Sequence, residues 1–413
     1  VLPVDSILTT YLSDIILLFL GGFLIGLLLE KWHLHELLAL YIIRHSGNSL
    51  RSIVFGLMLA SFTISMWISN TATAIMMLPI AASVLKAYQS KVSESLYVRL
   101  RTAGLLGVAY GANIGGIATL IGTPPNIVLK GFLSQQGIEL GFLNWALIGI
   151  PFSLLFLLAT YLIFVRFLFV LPTAHLYSVD SAKLIANHQA KQGLSTAQKR
   201  ALVLFAIAAF LWISAQAWNA LLAYLSFSFR FTDSGIAISI ALLAFILPAS
   251  AAKGQRLLSV KQLPNVSWSI LLMFGGGMAM AKALQEAGFI TLIGKLTHNL
   301  PPSAWVLAAL FFIVVCVFLT ELMSNVALIT IVLPMIIAVS FSLQLKSPLL
   351  LTVPATIASS LAFMMPIATP PNAVVFATGD IALSTMIKAG FWLNVLSVVS
   401  LFLLVLILYA CYE

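Results

Sequence analysis

Charge is scarce in this sequence. Of 413 residues only 8% are Asp, Glu, Lys or Arg, against 61% hydrophobic, whereas soluble domains carry roughly 25% charged residues. That shortage excludes an ordinary soluble domain and leaves a polytopic membrane protein. Cysteine is as rare: Cys316 lies within an apolar run and Cys411 at the C-terminal end, a pair that supports neither a disulfide framework nor a metal site. Acidic residues number 12 against 21 Lys and Arg, for a formal net charge of +9. The basic residues sit in short loops between apolar runs, where they fix membrane orientation rather than bind nucleic acid. The sequence opens at Val1 with neither an initiator Met nor a cleavable signal pattern.

What is present is a series of apolar runs long enough to span a bilayer, ~20 residues each. They cover residues 12–29, 102–129, 145–171, 201–225, 235–252, 266–290, 349–377 and 389–411. Two other runs, 53–85 and 304–341, carry Ser-Asn near their middles. Their arms of about 15 residues suit re-entrant hairpins better than full spans. Arg44 and Arg51 precede the first hairpin and Lys86, Lys91, Arg99 and Arg101 follow it, so its ends are expected in the cytoplasm. Only Lys295 and Lys346 flank the second, whose ends are expected outside.

One hairpin entering from each face is the pattern of an inverted repeat, and three ordered matches support it. Gly22 precedes Asn70 by the same number of residues as Gly277 precedes Asn325. "MWISNTATAIMMLP" from Met66 pairs with "LMSNVALITIVLP" from Leu322, and "IGTPPN" at Ile121 pairs with "IATPPN" at Ile367. The fold class expected is therefore all-α: inverted-topology repeats with two re-entrant hairpins and two broken helices. The first repeat takes residues 1–177, a polar cytoplasmic linker 178–200, and the second repeat 201–413. The second repeat has two spans ahead of its Gly-Gly segment and the first has about ten residues there, so two or more helices of the first repeat are expected upstream of Val1, or have been lost.

Consecutive prolines remove backbone donors and push the preceding residue out of the helical region. Each Thr-Pro-Pro-Asn span is thus expected to be a broken helix. In a membrane, unwound backbone survives only where it is buried in protein or lines a polar cavity. Free carbonyls there suit a small cation and exposed helix N-termini suit an anion. Two tips and two breaks would converge as one site near mid-membrane. Neither motif contains Arg or Lys, so the charge of an anion held there must be offset by hydroxyl and amide donors, helix N-termini and co-bound cations.

Paired Ser-Asn-Thr-type motifs, each followed by a [Gly/Ala]-Thr-Pro-Pro-Asn break, resemble the divalent anion:sodium symporter family of dicarboxylate, citrate and sulfate transporters. The likeness runs from "FLGGFLIGLLLEK" at Phe19 to the last span. It implies a homodimeric elevator-type carrier in which a scaffold domain holds the dimer and a transport domain carries both hairpins and both breaks across the bilayer, in a bacterial inner membrane. It implies Na⁺ as co-transported ion with no organic cofactor. By the same resemblance one sodium site uses Ser65, Ser69, Asn70 and Gly122, and its counterpart uses Thr320, the Met323 carbonyl, Asn325 and Ala368. Substrate carboxylates would meet Ser69, Asn70, Thr71, Ser324 and Asn325, with Thr123 and Thr369 adjacent and Val326 at the third position of the second motif. Val326 stands where symmetric members have Thr, and a Val there also occurs in citrate-preferring animal relatives. The choice among C4-dicarboxylate, citrate and sulfate stays open.

Sodium-coupled symport of a di- or tricarboxylate is the leading expectation, with a sodium-independent antiporter or a sulfate transporter as alternatives. A membrane-embedded hydrolase lacks a base, because none of the four polar breaks contains His. An ion channel fits closed, inverted tips poorly. Glu321 is read as tuning the second site or pairing nearby, and Glu30, His33, His35 and Glu36 as interfacial. "HELLA" departs from a zincin helix at Ala39.

Overall fold

The computed structural model describes residues 4–11, 13–47, 49–173, 193–250, 254–288, 292, 301 and 304–412. Most of the 178–200 linker, together with Lys183, Lys191, Lys253 and Lys295, lies outside the described residues. Described helices are α1 (Val4–Tyr11), α2 (Asp14–Lys31), α3 (Leu34–His45), α4 (Leu50–Ser65), α5 (Asn70–Lys86), α6 (Glu94–Ile117), α7 (Pro124–Gln135) and α8 (Phe142–Ile163). They continue with α9 (Thr196–Tyr224), α10 (Asp233–Ile246), α11 (Trp268–Glu286), α12 (Ala304–Leu319), α13 (Asn325–Ser342), α14 (Leu349–Ala358), α15 (Pro370–Phe376) and α16 (Leu383–Tyr412). Among the described residues there is no strand, and five helical stretches are long and apolar enough to cross a membrane.

The helices differ in what surrounds them. On α9 and α16, large apolar side chains such as Val203, Phe210, Ile213, Val399, Leu403 and Ile407 are exposed. Apolar residues facing outward along whole helices suit hydrocarbon rather than water. In contrast, α6 is buried on every side from Thr102 to Ile117. Small residues let its neighbour come close: a methyl at Gly111 would sit 2.5 Å from the Met58 carbonyl oxygen, and one at Gly115 would overlap the Phe62 carbonyl. This is the small-residue packing by which membrane helices gain dispersion contact, and it holds α4 directly against α6.

Polar anchors join the layers. Lys130 of α7 pairs with Asp233 at the start of α10, and both are largely buried. Asp233 also accepts from the Phe142 amide at 3.2 Å. Around the C-terminal end of α8, Arg51 donates to the Leu171 carbonyl at 2.6 Å and Arg99 to that of Phe169 at 3.3 Å. Arg101 pairs with Asp380 at 2.6 Å. The basic flanks of α4 and α6 therefore share one end of the molecule.

Candidate functional site

α4 stops at Ser65 and α5 starts at Asn70. α12 stops at Leu319 and α13 starts at Asn325. Each second arm carries a proline, Pro79 or Pro334. At 16 and 17 residues, α4 and α5 extend about 24–26 Å at 1.5 Å per residue, less than the ~30 Å hydrocarbon core. The helical ladder gives way where Ser and Asn side chains compete for backbone groups. Ser69 caps α5, accepting from the Ala72 amide at 3.2 Å. Ser65 Oγ donates to Asn70 Oδ1 at 2.7 Å, and Thr320 Oγ1 donates to Asn325 Oδ1 at 2.7 Å.

The two breaks are built alike. α7 and α15 begin at the proline pairs, which occupy their first turns, where a missing amide hydrogen costs nothing. Asn126 Nδ2 donates to the carbonyls ten and seven residues upstream, Gly116 at 3.0 Å and Thr119 at 2.7 Å. Asn372 Nδ2 does the same at the same offsets, to Ala362 and Met365, both at 3.1 Å. The final Asn of each Thr-Pro-Pro-Asn run thus ties off the unwound backbone before it. Neither Asn was singled out from sequence, although both stand in the repeated motif.

Tip and break meet in each half. Thr119 Oγ1 donates to the Met66 carbonyl at 2.5 Å, and a methyl placed on Gly116 would lie 2.6 Å from Asn70 Oδ1 and 3.1 Å from Thr123. The structure therefore brings Ser65, Asn70, Gly122 and Thr123 around one point, since Gly122 also abuts Gly116. In the second half Thr320 Oγ1 also lies 2.5 Å from the Ser359 carbonyl, so its one hydroxyl hydrogen is shared between that carbonyl and Asn325 Oδ1. Here Glu321 adds an anchor without counterpart, because the matching residue of the first motif is Met66. Its carboxylate is buried and accepts from the amides of Phe363 at 2.7 Å, Met364 at 2.9 Å and Met365 at 3.0 Å, and from Asn394 Nδ2 at 2.9 Å. Three successive amides form a nest for this charge, so Glu321 is satisfied by dipoles rather than by a basic partner.

Contacts between the halves were not legible in the sequence. Asn113 Nδ2 lies within hydrogen-bond distance of Ala362 O (3.2 Å), Thr369 Oγ1 (3.1 Å) and Asn372 Oδ1 (3.2 Å). Tyr110 donates to the Phe363 carbonyl at 2.6 Å. The first broken helix thus braces the second break, and these contacts span some 250 residues of chain, beyond any local pattern. Asn126 Oδ1 and Ser360 Oγ are buried without a partner among the described residues.

Exposure sorts the remaining candidates. Ser69 and Ser324 are open at the tips, Asn70, Thr71, Met323 and Asn325 are half-buried, and Gly122, Thr123, Ala368 and Thr369 are buried. Val326 is only 7% exposed and belongs to the apolar core, so the position opposite Thr71 is closed where Thr71 is partly open. The donor set is all oxygen, with no thiolate or imidazole, which suits a hard cation. Hydroxyls, amides and the N-termini of α5 and α13 offer the complementary surface for an anion.

Comparison with known proteins places this architecture. The citrate transporter family model, CitMHS, matches residues 1–352. The sodium-dependent dicarboxylate transporter SdcS of Staphylococcus saprophyticus is 37% identical over 98% of this chain and 78% of its own. SdcS of Staphylococcus aureus strain USA300 is 34% identical with the same coverage. Among solved structures, the Alcanivorax borkumensis YdaH transporter aligns with a TM-score of 0.63 at 15% identity over 97% of this chain and 86% of that one. Neisseria gonorrhoeae MtrF, from a class of antimetabolite efflux pumps, gives 0.63 at 16% over 97% and 82%; at these identities the likeness concerns the fold alone. Long apolar helices and bacterial transporter relatives make this a multi-pass integral membrane protein of the plasma membrane. With the family model covering most of the chain and relatives above 30% identity along nearly all of it, the chain belongs to the citrate transporter family and, with the sodium-dependent dicarboxylate transporters, to the divalent anion:sodium symporters that its paired motifs resemble.

Proposed function

We propose that this protein is a secondary active transporter that carries a di- or tricarboxylate inward together with Na⁺. The observation that carries the reading is the pair of like-built oxygen clusters, Ser65 with Asn70 and Thr320 with Asn325, each lying against its own break. That the SdcS relatives are sodium-dependent dicarboxylate transporters supports this substrate class and this ion. Ser65, Ser69, Asn70 and Gly122 hold one sodium ion. Thr320, the Met323 carbonyl, Asn325 and Ala368 hold another. Ser69, Asn70, Thr71, Ser324 and Asn325 hold the carboxylates, with Thr123 and Thr369 behind them and Val326 as apolar wall. Since no basic side chain occurs in either motif, sodium offsets part of the substrate charge, and anion binding requires it.

The two halves, 1–177 and 201–413, act as inverted repeats, with both helix pairs, α4–α5 and α12–α13, entering as re-entrant hairpins from opposite faces. Arg51 and Arg99 gathered at one end support a cytoplasmic end for the first pair. The unit moves as an elevator within a homodimer. The decisive experiment is uptake of labelled succinate into proteoliposomes, in sodium and in choline, competed with citrate, malate and sulfate. Saturable, sodium-dependent uptake inhibited by carboxylates is expected. Equal counterflow without sodium would favour an antiporter, and inhibition by sulfate alone a sulfate carrier.

A further inference from the structure

Away from the tips, at the turn between α2 and α3, three groups with metal-ligand chemistry converge. His33 Nδ1 lies 2.8 Å from Glu36 Oε1, His35 Nε2 lies 3.7 Å from the same oxygen, and all three ligand atoms fall within 4.8 Å of one another. In a tetrahedral zinc site with bonds of about 2.0–2.2 Å the ligand atoms stand about 3.3–3.6 Å apart, a spacing that the 2.8 and 3.7 Å distances to Glu36 Oε1 bracket. We propose that His33, His35 and Glu36 form a binding site for a borderline divalent cation of the Zn²⁺ type.

A second observation points to the same ligand. His35 is only 4% exposed, and its Nε2 has no hydrogen-bond partner. Its other ring nitrogen, Nδ1, lies 3.2 Å from the Leu29 carbonyl. A carbonyl can only accept, so this bond requires the hydrogen on Nδ1 and leaves a bare lone pair on Nε2. A neutral imidazole held by a carbonyl at one nitrogen and free at the other is the usual second-sphere arrangement of a metal-ligating histidine. Left alone, the buried lone pair costs free energy; a cation beside Glu36 would satisfy it.

The chemistry selects the ion. Two imidazoles and one carboxylate prefer Zn²⁺, Co²⁺ or Ni²⁺ to Ca²⁺ or Mg²⁺, which take oxygen ligands. The N-terminus of α3 is adjacent and its dipole opposes a cation, an effect that Glu36 in the first turn offsets. Three protein ligands leave a fourth position to water, His33 and Glu36 being open to solvent. Nothing in the transport site uses these residues. The turn is tied to distant chain, with Gln198 donating to the Trp32 carbonyl at 3.1 Å and Trp32 Nε1 to that of Leu257 at 3.0 Å. A bound ion would therefore brace a junction of both halves.

The test uses the full chain in lipid nanodiscs without a polyhistidine tag, titrated with ZnCl₂ by calorimetry and with CoCl₂ by visible absorption. One saturable Zn²⁺ per chain is expected, with a visible Co²⁺ band that Zn²⁺ abolishes and Mg²⁺ does not. His33→Asn, which keeps the left-handed backbone of that position (φ 54°) accessible, and Glu36→Gln should each weaken Zn²⁺ binding about tenfold or more. His45→Ala, an exposed histidine outside the cluster, should leave it unchanged. Wild-type affinity in both His33→Asn and Glu36→Gln, or no saturable binding by the parent protein, overturns the site.

Discussion

Ser65 donates to Asn70 Oδ1 across the gap between α4 and α5, and its 2.7 Å bond is repeated at the same length by Thr320 and Asn325. A hydroxyl that fixes an amide oxygen leaves two adjacent oxygens facing the same space, the smallest unit that can share a cation. Removing the hydroxyl should therefore disturb the ion before the anion. A neutral hydrogen bond contributes about 0.5–1.5 kcal/mol, so Ser65→Ala and Thr320→Val are expected to raise the sodium concentration for half-maximal uptake roughly two- to tenfold. Thr320→Ser should behave as the parent. Asn70→Ala or Asn325→Ala, losing both roles, should abolish uptake while the chain still elutes as a folded species. Sodium titrations of succinate uptake measure all of these.

Glu321 provides a second handle. Four donors converge on its carboxylate, three of them consecutive amides of the second break. In Glu321→Ala those amides and Asn394 lose their acceptor, and a buried unsatisfied donor costs about 1–3 kcal/mol. The expected result is a detergent Tm several degrees lower together with lost uptake. Glu321→Gln keeps the shape but turns an NH₂ toward the amides, and should fall between parent and Ala in Tm. Full uptake by Glu321→Ala would show that the nest does not position the break.

The Lys130–Asp233 pair joins α7 to α10 inside the protein. Breaking a buried pair from one side leaves a stranded charge, at a cost of about 3–5 kcal/mol, whereas replacing both partners by apolar groups is often neutral. Asp233→Ala should therefore lower the Tm strongly, and Lys130→Met with Asp233→Leu should restore most of it. Additive losses in the double variant would mean that the two side chains stabilise the fold independently.

Much of this was legible because membrane chemistry leaves few options. A proline pair must open a helix, and Pro124 and Pro370 do so at N1. Ser-Asn within apolar sequence marks an end, and α5 and α13 begin at those asparagines. What escaped were roles set by partners far along the chain. Asn113 reads as one more polar residue in a Gly-rich helix until Thr369 and Asn372 arrive beside it. Glu321 has no cation to announce it, since its partners are three main-chain amides and the Asn394 side chain. His35, grouped from sequence with interfacial residues, is packed inside because Leu29 takes its ring nitrogen.

Orientation can be tested by labelling. In a Cys411→Ser background, which removes the exposed thiol and leaves Cys316 buried, Ser90→Cys should react with an impermeant maleimide only from the cytoplasm and Lys346→Cys only from outside. Both positions are exposed loop sites beyond the second arms, α5 and α13. Labelling of both from one side would rule out inverted helix pairs.

The last test uses the position where the halves differ. Thr71 is half-buried beside Asn70, whereas Val326 is closed within the apolar core. If the α5 N-terminus grips one carboxylate, Thr71→Val removes a hydroxyl from a charged partner. Such a bond contributes about 1.5–3 kcal/mol, so KM for succinate at saturating sodium should rise about tenfold or more. The reverse swap starts from a different place. Thr330, further into the helix, satisfies its hydroxyl by donating to the Val326 carbonyl at 2.7 Å, but position 326 is the second residue of α13 and has no helical carbonyl four residues back. Val326→Thr should then bury a hydroxyl without a helical acceptor and lower the Tm, with KM for succinate nearly unchanged. A clear change in the ranking of succinate, citrate and sulfate in Val326→Thr would show instead that the second tip opens during transport and that this position reads the anion directly.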